Sequence, residues 1–461
     1  MRAPGTVADP MASEEIFGTD GIRGKATQGW LTPQGAALVG RAAGVVLGGK
    51  GAQALLAHDG RESGRWLEAA LAEGLSQAGV SSRSAGLLPT PGLAWLVRKE
   101  NAALGIMVSA SHNPSQDNGI KIFGRDGDKL SDEEQRRIED LLRTDEPSTN
   151  SAQDNKLLVP ELELESSYER YLVEELGASL NLEQTMIVLD CANGAGSKVG
   201  PRVLNKVGAR VIPLGHKPDG RNINQGCGST HPETLMKTVQ AEGALLGIAL
   251  DGDGDRCMLV DEHGTLVDGD GILTILGRHG AKQGSLPQNK LAATVMSNRA
   301  LHIALDEVGV SVVETTVGDR AVVEAMRREG LALGGEQSGH VVLGERTAFI
   351  GDGLATALAV LEVLSQTGES LSSLASAYQR LPQVLLNITV ESKPDLSQNP
   401  RVMEKVAEAE EALGSHGRVL LRYSGTEPLA RVMVEGPDAE LIQRLAQNVA
   451  DCLIQEIGPG K

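Results

Sequence analysis

A pattern of helix, glycine and strand occurs three times along this chain and limits its fold more than any other feature. The three copies are Gln77-Ala78-Gly79-Val80, Lys206-Val207-Gly208-Ala209 and Glu307-Val308-Gly309-Val310. In each copy we expect the glycine to end a helix as its C-cap before the next strand begins. The repetition favours three related α/β domains, although a pattern this short also occurs in unrelated α/β proteins.

The composition limits the size of the domains and the choice of partners. A chain of 461 residues is too long for one ordinary core and predicts three or four domains. Aromatic residues make up only 2% of the chain, so the cores must be built from aliphatic side chains. The formal net charge of −18 disfavours nucleic acid or an anionic membrane as the main partner.

The cysteines and the hydropathy of the chain favour a reducing cytoplasm. Four cysteines are dispersed along the sequence: Cys191, Cys227, Cys257 and Cys452. They form no paired spacing, so we expect no disulfide framework. No apolar run has the length of a membrane span. We expect residues 1–15 to be a disordered extension without a signal sequence, and the polar residues 145–155 to be a linker.

The first candidate site follows a short apolar run, Leu104–Val108, which predicts a buried strand. The run ends at small polar residues and then at Asn113-Pro114, a turn signal. Ser111 therefore lies where a strand of an open α/β sheet delivers a side chain to a crevice at its carboxyl end. Its hydroxyl, beside His112, is a candidate nucleophile. The alternative for this stretch taken singly is an ordinary Ser-Asn-Pro loop.

The strongest signal in the residues themselves is the run Asp251-Gly252-Asp253-Gly254-Asp255-Arg256, which follows the predicted strand Leu246–Leu250. Three carboxylates this close repel one another unless a cation compensates them, and the glycines allow all three to face one point. Their hard oxygens select Mg²⁺ or Ca²⁺ over softer metals. An EF-hand is disfavoured because Arg256 occupies the position that needs glycine. The remaining alternative is a solvated acidic turn.

Three further loops carry side chains that suit a phosphorylated sugar. Three glycines around Arg23 allow close backbone approach, and arginine suits phosphate. Glu336, Ser338 and His340 alternate, so on an extended segment they would face the same way and suit a polyhydroxylated ligand. The loop at 422–428 offers an arginine, two hydroxyls and glycine-exposed amides, which together form an anion cradle. Taken singly, the alternatives are a glycine-rich surface turn for the first loop, three polar side chains on the solvent face of a strand for the second, and an ordinary Ser-Gly turn for the third.

Together, these loops resemble those of the α-D-phosphohexomutase superfamily, in the order of that family and with one set in each domain. The resemblance is closest to the bacterial phosphoglucosamine mutase branch and extends from about Ile16 to the C-terminal helix. The five loops that carry it are 17–24, 109–114, 251–256, 335–340 and 422–428. The branch is favoured by Phe-Gly-Thr-Asp-Gly-Ile-Arg-Gly at 17–24, Asp-Asn-Gly-Ile-Lys at 117–121, and Ser-Gly-Thr-Glu-Pro at 424–428 with Arg431-Val432-Met433-Val434-Glu435.

The resemblance implies a fold class and an architecture. The chain would be an α/β protein of four domains arranged around a central active-site crevice. Three related mixed-sheet α/β/α domains would precede a smaller C-terminal α+β domain. We expect a phosphoserine-loop domain at 16–155, a metal-binding domain at 156–262, a sugar-binding domain at 263–381 and a phosphate-binding domain at 382–461.

The resemblance also implies an isomerase that interconverts glucosamine 6-phosphate and glucosamine 1-phosphate for cell-wall precursor synthesis. Ser111 would carry a phosphoryl group, and Mg²⁺ would be the cofactor. The metal ligands would be Ser111, Asp251, Asp253 and Asp255. The phosphoserine would donate to one sugar oxygen, and the other phosphate of the resulting bisphosphate would return to Ser111.

The remaining implied roles are spread over the five loops. Arg256 would offset charge on the transferring group. Proton transfer and charge stabilisation would come from residues whose roles the sequence leaves open: Arg23, Lys121, His112 and His340. The sugar hydroxyls would contact Glu336, Ser338 and His340. The distal phosphate would bind to Arg422, Ser424, Gly425, Thr426 and Arg431.

Two segments depart from the family pattern. His58-Asp59-Gly60-Arg61 stands in place of Lys-Asp-Thr-Arg, and Phe349-Ile350-Gly351-Asp352-Gly353 stands in place of Thr-Thr-Gly-Asp-Gly. We expect neither segment to touch the five loops, so the effects should be on crevice shape and substrate preference rather than on the chemistry.

Two other functions stay open from the sequence. One is a phosphomannomutase/phosphoglucomutase, and the other is a non-catalytic sugar-phosphate sensor, although a sensor needs no nucleophile. We expect a cytoplasmic monomer or homodimer whose ligands are a hexosamine phosphate and its bisphosphate.

Overall fold

The structure, a computed structural model, describes residues 16–18, 20–144, 156–424 and 428–458. The predicted N-terminal extension and the predicted linker lie outside these residues, as do Gly425 and Thr426. Within the described ranges, no helix is both long enough and apolar enough to cross a membrane. Short 3₁₀ or π segments lie at Gly29–Leu31, Gly44–Gly48, Tyr171–Leu176, Pro287–Asn289, Gly344–Thr347, Leu396–Gln398 and Gly414–His416.

The first sheet contains the predicted strand Leu104–Val108, all of whose residues are buried. Its strands are β1 (Ile22–Lys25), β2 (Gln53–His58), β3 (Ser81–Leu87), β4 (Leu104–Val108) and β5 (Asp117–Gly124). The order is β1-β5-β4-β2-β3, and β2 is parallel to β3 and β4 while β5 is antiparallel to β4 and β1. The accompanying helices are α1 (Pro33–Ala43), α2 (Gly64–Gln77), α3 (Thr90–Lys99) and α4 (Asp132–Leu142). Because side chains alternate along β2, Leu55 packs in the core that contains α3, and Leu56 in the core that contains α1 and α2.

The second sheet repeats this plan. Its strands are β6 (Met186–Asp190), β7 (Arg210–Leu214), β8 (Leu246–Leu250), β9 (Cys257–Val260) and β10 (Leu266–Val267), in the order β10-β9-β8-β6-β7. The helices of this region are α5 (Leu162–Arg170), α6 (Gly196–Lys206) and α7 (Glu233–Glu242). Because β10 pairs with β9, the second sheet extends past the boundary predicted after residue 262. The other domain boundaries stay predictions.

The third sheet is smaller. Its strands are β11 (Lys290–Thr294), β12 (Ser311–Thr315), β13 (Gly334–Gly335) and β14 (Val341–Val342), in the order β12-β11-β13-β14. The helices are α8 (Gly269–Gln283), α9 (Arg299–Asp306), α10 (Asp319–Glu329), α11 (Gly353–Thr367) and α12 (Leu371–Ala375).

One connection pattern is common to the three sheets. In each, a first strand pairs in parallel with two neighbours, and the later of these neighbours pairs antiparallel with the strand that follows it. Gly79, Gly208 and Gly309 have φ values of +77°, +98° and +72° shortly after α2, α6 and α9, which confirms the predicted C-caps. The loops between the two antiparallel strands, after β4, β8 and β13, contain three of the five predicted site loops.

The fourth sheet is entirely antiparallel, in the order β15 (Gln383–Thr389), β17 (Leu429–Glu435) and β16 (Arg418–Tyr423). Helices α13 (Pro400–Leu413) and α14 (Ala439–Ile457) accompany it. The core is aliphatic, with Val432 and Val434 of β17 packed against residues of α14 such as Leu453. This is the smaller α+β unit that the sequence predicts.

Candidate active site

A cavity of about 1190 Å³ lies where the loops of the first three sheets meet. Its walls include Arg23, Ser111, Asp255, Glu336 and His340, which come from four of the five predicted loops. Equivalent loops of three related sheets therefore converge on one crevice. The fifth loop belongs to the fourth sheet, and none of its described residues lines this cavity.

Ser111 is held in an unusual backbone conformation at one wall of the cavity. Its φ of +50° lies in the left-handed region, which a residue with a side chain adopts only when its surroundings enforce it. The Ser111 amide donates to Ser109 Oγ over 2.8 Å, and the Ser111 hydroxyl donates to Asp251 Oδ2 over 2.6 Å. The predicted nucleophile and the first predicted metal ligand are thus in direct contact, although they lie in different domains.

Arg61 fixes the backbone of the Ser111 loop. Its guanidinium is 1% exposed and donates to the carbonyl oxygens of Ser111 (3.0 Å) and Asn113 (2.9 Å), as well as to Pro114 and Asp117. Its charge is compensated by Asp59, 2.8 Å away.

Segment 58–61, which departs from the family pattern, therefore touches one of the five loops, and the expectation that it does not is wrong. Segment 349–353 also touches a site loop, because a Cβ added at Gly351 would lie 2.3 Å from His340 Nε2.

The three predicted aspartates form one cluster. Carboxylate oxygens of Asp251, Asp253 and Asp255 lie within 4.8 Å of one another, and all three residues are buried. Burial raises the pKa of Asp251 well above its usual range, and repulsion from Asp255 and Asp253 adds to the rise. Among the described residues, the Oδ1 atoms of Asp253 and Asp255 are buried without a hydrogen-bond partner. Buried hard oxygens left in this state fit a divalent cation such as Mg²⁺ or Ca²⁺.

Lys121 joins the aspartate cluster to the glycine-rich loop around Arg23. Its ammonium lies 2.8 Å from Asp253, 2.9 Å from Asp20 and 3.5 Å from Asp255. Although burial opposes charge, these carboxylates hold the pKa of Lys121 well above its usual value. Burial likewise opposes charge at Asp253, but Lys121 holds the pKa of that carboxyl below its usual range. Arg23 pairs with Asp20 and donates to Ala110 O over 3.2 Å.

His112 and Arg256 lie at the same wall without strong contacts to the nucleophile. The His112 Nδ1 atom is 3.4 Å from Ser111 Oγ, and burial, followed by the charges of Arg256 and Arg23, lowers the pKa of His112. The Arg256 amide donates to Asp251 Oδ1 over 3.2 Å, and its guanidinium is 3.9 Å from Asp255. Arg256 is only partly buried, so its charge is available at the cavity.

The segment with Glu336, Ser338 and His340 is a tight turn, so the prediction of an extended segment is wrong. The strands on either side, β13 and β14, have only two residues each, and the Glu336 amide donates to His340 O over 2.9 Å to close the turn. Gly339, with a φ of +92°, reverses the chain.

The turn nevertheless places part of the predicted set at the cavity. Glu336 and His340 line it, whereas Ser338 does not. Among the described residues, Ser338 Oγ and His340 Nδ1 are buried without a hydrogen-bond partner. Glu336 Oε1 accepts a hydrogen bond from the Gly318 amide over 3.1 Å.

The described part of the fourth-domain site is a pair of arginines on neighbouring strands. Arg422 of β16 lies opposite Arg431 of β17. Burial, followed by the charge of Arg431, lowers the pKa of Arg422. Two guanidiniums side by side suit a dianionic phosphate. Ser424 follows the last residue of β16, and its carbonyl oxygen accepts a hydrogen bond from Lys393 Nζ over 2.6 Å.

Several residues that support the site were not predicted. Asn224 Nδ2 donates to Ser111 O over 2.9 Å, and Thr90 Oγ1 donates to Asp253 over 2.6 Å. Neither residue has a sequence signal, because both act on partners far away in the chain. Asp20 lies in the glycine-rich loop at 17–24, and Asp319 follows Gly318 at the start of α10. The neighbouring glycines are the one sequence signal that could have pointed toward these two residues.

Comparisons with known proteins agree with this geometry. Four family models match successive parts of the chain: "Phosphoglucomutase/phosphomannomutase, alpha/beta/alpha domain I" at 14–149, domain II at 166–264, domain III at 268–381 and the C-terminal domain at 385–452. The chain therefore belongs to the phosphoglucomutase/phosphomannomutase family, the α-D-phosphohexomutases, which are isomerases.

Individual relatives show which members of the family the chain is similar to in sequence and in fold. The phosphoglucosamine mutase of Desulforudis audaxviator (strain MP104C) is 47% identical over 440 residues, which cover 94% of this chain and 96% of that protein. Two solved structures share the fold. A phosphoglucomutase/phosphomannomutase family protein from Burkholderia thailandensis has a TM-score of 0.78 at 24% identity, covering 98% of this chain and 99% of the other. Aspergillus fumigatus N-acetylphosphoglucosamine mutase, in complex with GlcNAc-6P and magnesium, has a TM-score of 0.64 at 18% identity and 95% coverage of each chain.

Proposed function

We propose that the protein is a phosphoglucosamine mutase, which interconverts glucosamine 6-phosphate and glucosamine 1-phosphate through a phosphoserine at Ser111. The observation that carries the proposal is the 2.6 Å contact between Ser111 Oγ and Asp251 at the wall of the crevice. It places a hydroxyl nucleophile against a cluster of carboxylates that suits a cation, which is the arrangement that phosphoryl transfer requires. The similarity to relatives that carry the phosphoglucosamine mutase name supports the choice of substrate.

The reaction consists of two transfers in opposite directions. The bond between phosphorus and Ser111 Oγ breaks as a bond forms to the free O1 or O6 of the sugar, whose proton passes to a base. The bisphosphate then turns over in the crevice. Its other phosphoryl group returns to Ser111 Oγ, and a proton is delivered to the departing sugar oxygen. Charge on the group in transit is offset by Arg256 and Lys121, while Arg23 and His340 are the nearby candidates for moving protons.

Asp251, Asp253 and Asp255 would hold Mg²⁺, with Ser111 or its phosphoryl group as a further ligand. The two buried Oδ1 atoms without partners are the observation that supports this assignment. When bound, the ion would neutralise charge on the phosphoryl oxygens.

In this proposal, residues of the third and fourth domains bind the substrate. Glu336 and Ser338 would hold sugar hydroxyls, which orients either end of the sugar toward Ser111. Arg422 and Arg431, with Ser424, Gly425 and Thr426, would hold the phosphate that is not reacting. This remote binding energy positions the reacting oxygen.

The sugar preference is tested by steady-state assays on three substrates. The purified enzyme, with Mg²⁺ and a catalytic amount of bisphosphate, would be assayed with glucosamine, glucose and mannose phosphates. We expect kcat/KM to be roughly 10-fold or more higher for the amino sugar. An equal or higher value for glucose or mannose phosphate would replace this proposal by a phosphoglucomutase/phosphomannomutase.

The cellular setting follows from the substrate. We propose a cytoplasmic enzyme of amino-sugar metabolism whose product serves peptidoglycan precursor and UDP-N-acetylglucosamine synthesis, and which acts as a monomer or homodimer.

A further inference from the structure

A partly buried lysine that the sequence did not single out bridges carboxylates of the first and third domains. Lys129 Nζ lies 2.5 Å from Asp20 in the first domain and 2.5 Å from Asp319 at the start of α10 in the third domain. The two carboxylates would face each other across the bridge if the lysine were removed.

The bridge connects groups on opposite walls of the active site. On one side, Asp20 also contacts Lys121, at 2.9 Å, and Lys121 reaches the aspartate cluster. On the other side, Asp319 Oδ2 is 3.7 Å from His340 Nε2. A continuous series of charged groups, Lys121, Asp20, Lys129 and Asp319, thus links the loop of the three aspartates to His340 in the turn at 336–340.

The orientation of the His340 imidazole depends on a contact from outside the turn at 336–340. Its Nδ1 atom is buried without a hydrogen-bond partner among the described residues, so Nε2 is the atom through which the protein can orient the imidazole. Asp319 is anchored for this task, because its Oδ1 accepts from the Arg320 amide over 2.8 Å and its Oδ2 faces both Lys129 and His340. A distance of 3.7 Å is longer than a hydrogen bond, as is common before substrate binds.

We propose that Lys129 and Asp319 are positioning residues for phosphoryl transfer: Asp319 orients the imidazole of His340, and Lys129 fixes Asp319 to the first domain opposite Ser111. The inference rests on the proposed function and adds two residues to it. Neither residue is assigned a contact with the sugar or with the transferring group.

A simpler explanation is that the bridge merely holds two domains together. Two other ion pairs join the same surfaces: Arg327 with Asp128 at 2.7 Å, and Arg320 with Asp132 at 2.6 Å. Asp128 is adjacent to Lys129 in sequence, and Arg327 lies on α10 with Asp319, but neither is in contact with His340. The pair of Arg327 and Asp128 is therefore a matched control for domain contact without imidazole positioning.

The test compares variants of the full-length enzyme with glucosamine 6-phosphate as substrate. The set is Lys129→Met, Lys129→Arg, Asp319→Asn, the double variant Lys129→Met/Asp319→Asn, and the control Asp128→Asn. For each variant, kcat, KM and the melting temperature are measured. A substrate-binding role would move KM, whereas a positioning role moves kcat.

We expect Lys129→Met and Asp319→Asn each to lower kcat by roughly 10- to 100-fold, with KM within about 3-fold of wild type. The double variant should be no slower than the slower single variant, because both act through His340. Lys129→Arg should recover most of the loss, and Asp128→Asn should stay within about 2-fold of wild type. If Lys129→Met lowers the melting temperature, its kcat no longer separates positioning from misfolding. Asp319→Asn then decides the test, because it nearly preserves the shape of the side chain.

Three results would overturn the inference: a kcat within about 3-fold of wild type for Asp319→Asn, multiplicative losses in the double variant, or an equal loss in Asp128→Asn. The last result would assign the effect to domain contact. Absence of mutase activity in the wild-type enzyme would instead contradict the proposed function, so the two failures are distinguishable.

Discussion

The two sides of the crevice are built on equivalent loops but hold their side chains differently. On the first side, which carries Ser111 and the three aspartates, the nucleophile is already bound to Asp251, and its loop is clamped by Arg61 and Asn224. On the second side, which carries the turn at 336–340, Ser338 Oγ and His340 Nδ1 have no hydrogen-bond partner among the described residues.

The unpartnered atoms on the two sides differ in chemical character. On the first side they are carboxylate oxygens of Asp253 and Asp255, which suit a cation. On the second side they are a hydroxyl and an imidazole nitrogen, which suit the hydroxyl groups of a sugar. The protein thus preorganises the transferring group and leaves the binding groups open to a ligand that must bind in two orientations.

Removing the nucleophile should produce the largest effect. Ser111→Ala should fold with an unchanged melting temperature, because the clamp on the loop acts through backbone carbonyls. Turnover should fall by roughly 10⁴-fold or more, because no other hydroxyl in the described part of the chain contacts Asp251. The measurement is kcat with glucosamine 6-phosphate in the presence of bisphosphate. Near-wild-type turnover would exclude a phosphoserine mechanism.

Removing one carboxylate charge should be the next largest change. Asp253→Asn keeps the shape but weakens a cation site, and it deprives Lys121 and Thr90 of a charged partner. We expect kcat to fall by roughly 10²- to 10³-fold and the Mg²⁺ concentration for half-maximal activity to rise. A Mg²⁺ titration of activity measures both. Activity that is independent of Mg²⁺ and unaffected by chelators would contradict the metal assignment.

Weakening the contacts between Arg61 and the Ser111 loop should show how much of the activity depends on the fixed conformation of that loop. Arg61→Lys keeps the charge near Asp59 but cannot supply the planar fork that reaches several carbonyls. We expect a loss of about 2–4 kcal/mol in the free energy of unfolding and roughly 10- to 100-fold lower kcat. Chemical denaturation and steady-state assays give the two values. A variant as stable and as active as wild type would show that the loop holds its conformation without the clamp.

Removing a guanidinium from the fourth sheet should change binding more than folding. Arg422→Ala should raise KM by roughly 10-fold, lower kcat, and increase the dependence on added bisphosphate, which would escape more often before it reorients. The exposed Arg444→Ala on α14 is a matched control and should leave all three unchanged. If Arg422→Ala behaves like this control, the arginine lies outside the substrate site.

The smallest predicted effect on activity comes from Asp270 beside the turn at 336–340, whose titration should change stability rather than turnover. Burial raises the pKa of Asp270 to about 7, and Asp270 accepts from Gln337 of the turn over 3.2 Å. Because the folded state holds this proton more tightly than the unfolded chain, Asp270 makes stability fall as pH rises from about 4 to about 7. The slope is at most about 1.4 kcal/mol per pH unit.

Asp270→Asn removes this titration. Relative to the variant, the wild type should therefore lose stability between pH 5 and pH 7, and the difference should level off above the pKa of about 7. Denaturant unfolding of both proteins at several pH values measures it. A difference that does not change with pH would contradict the assignment.

The sequence predicted the first side of the crevice better than the second. Ser111 and the aspartates follow long buried strands, so an apolar run and a polar loop were sufficient to locate them. The turn at 336–340 lies between strands of two residues, and there alternation of polar residues was mistaken for an extended segment. Arg61 could not be recognised, because the backbone carbonyls that it contacts are fifty or more residues away, and such contacts leave no pattern in the side chains.

Isotope transfer during turnover tests the central claim most directly. The enzyme would be mixed with glucosamine 6-phosphate and bisphosphate labelled in its phosphoryl groups, quenched in acid within single turnovers, and digested for peptide mapping. The account predicts that label enters and leaves the peptide that contains Ser111 at least as fast as product forms. Product formation with no label on Ser111, or with label on a different residue, would contradict it.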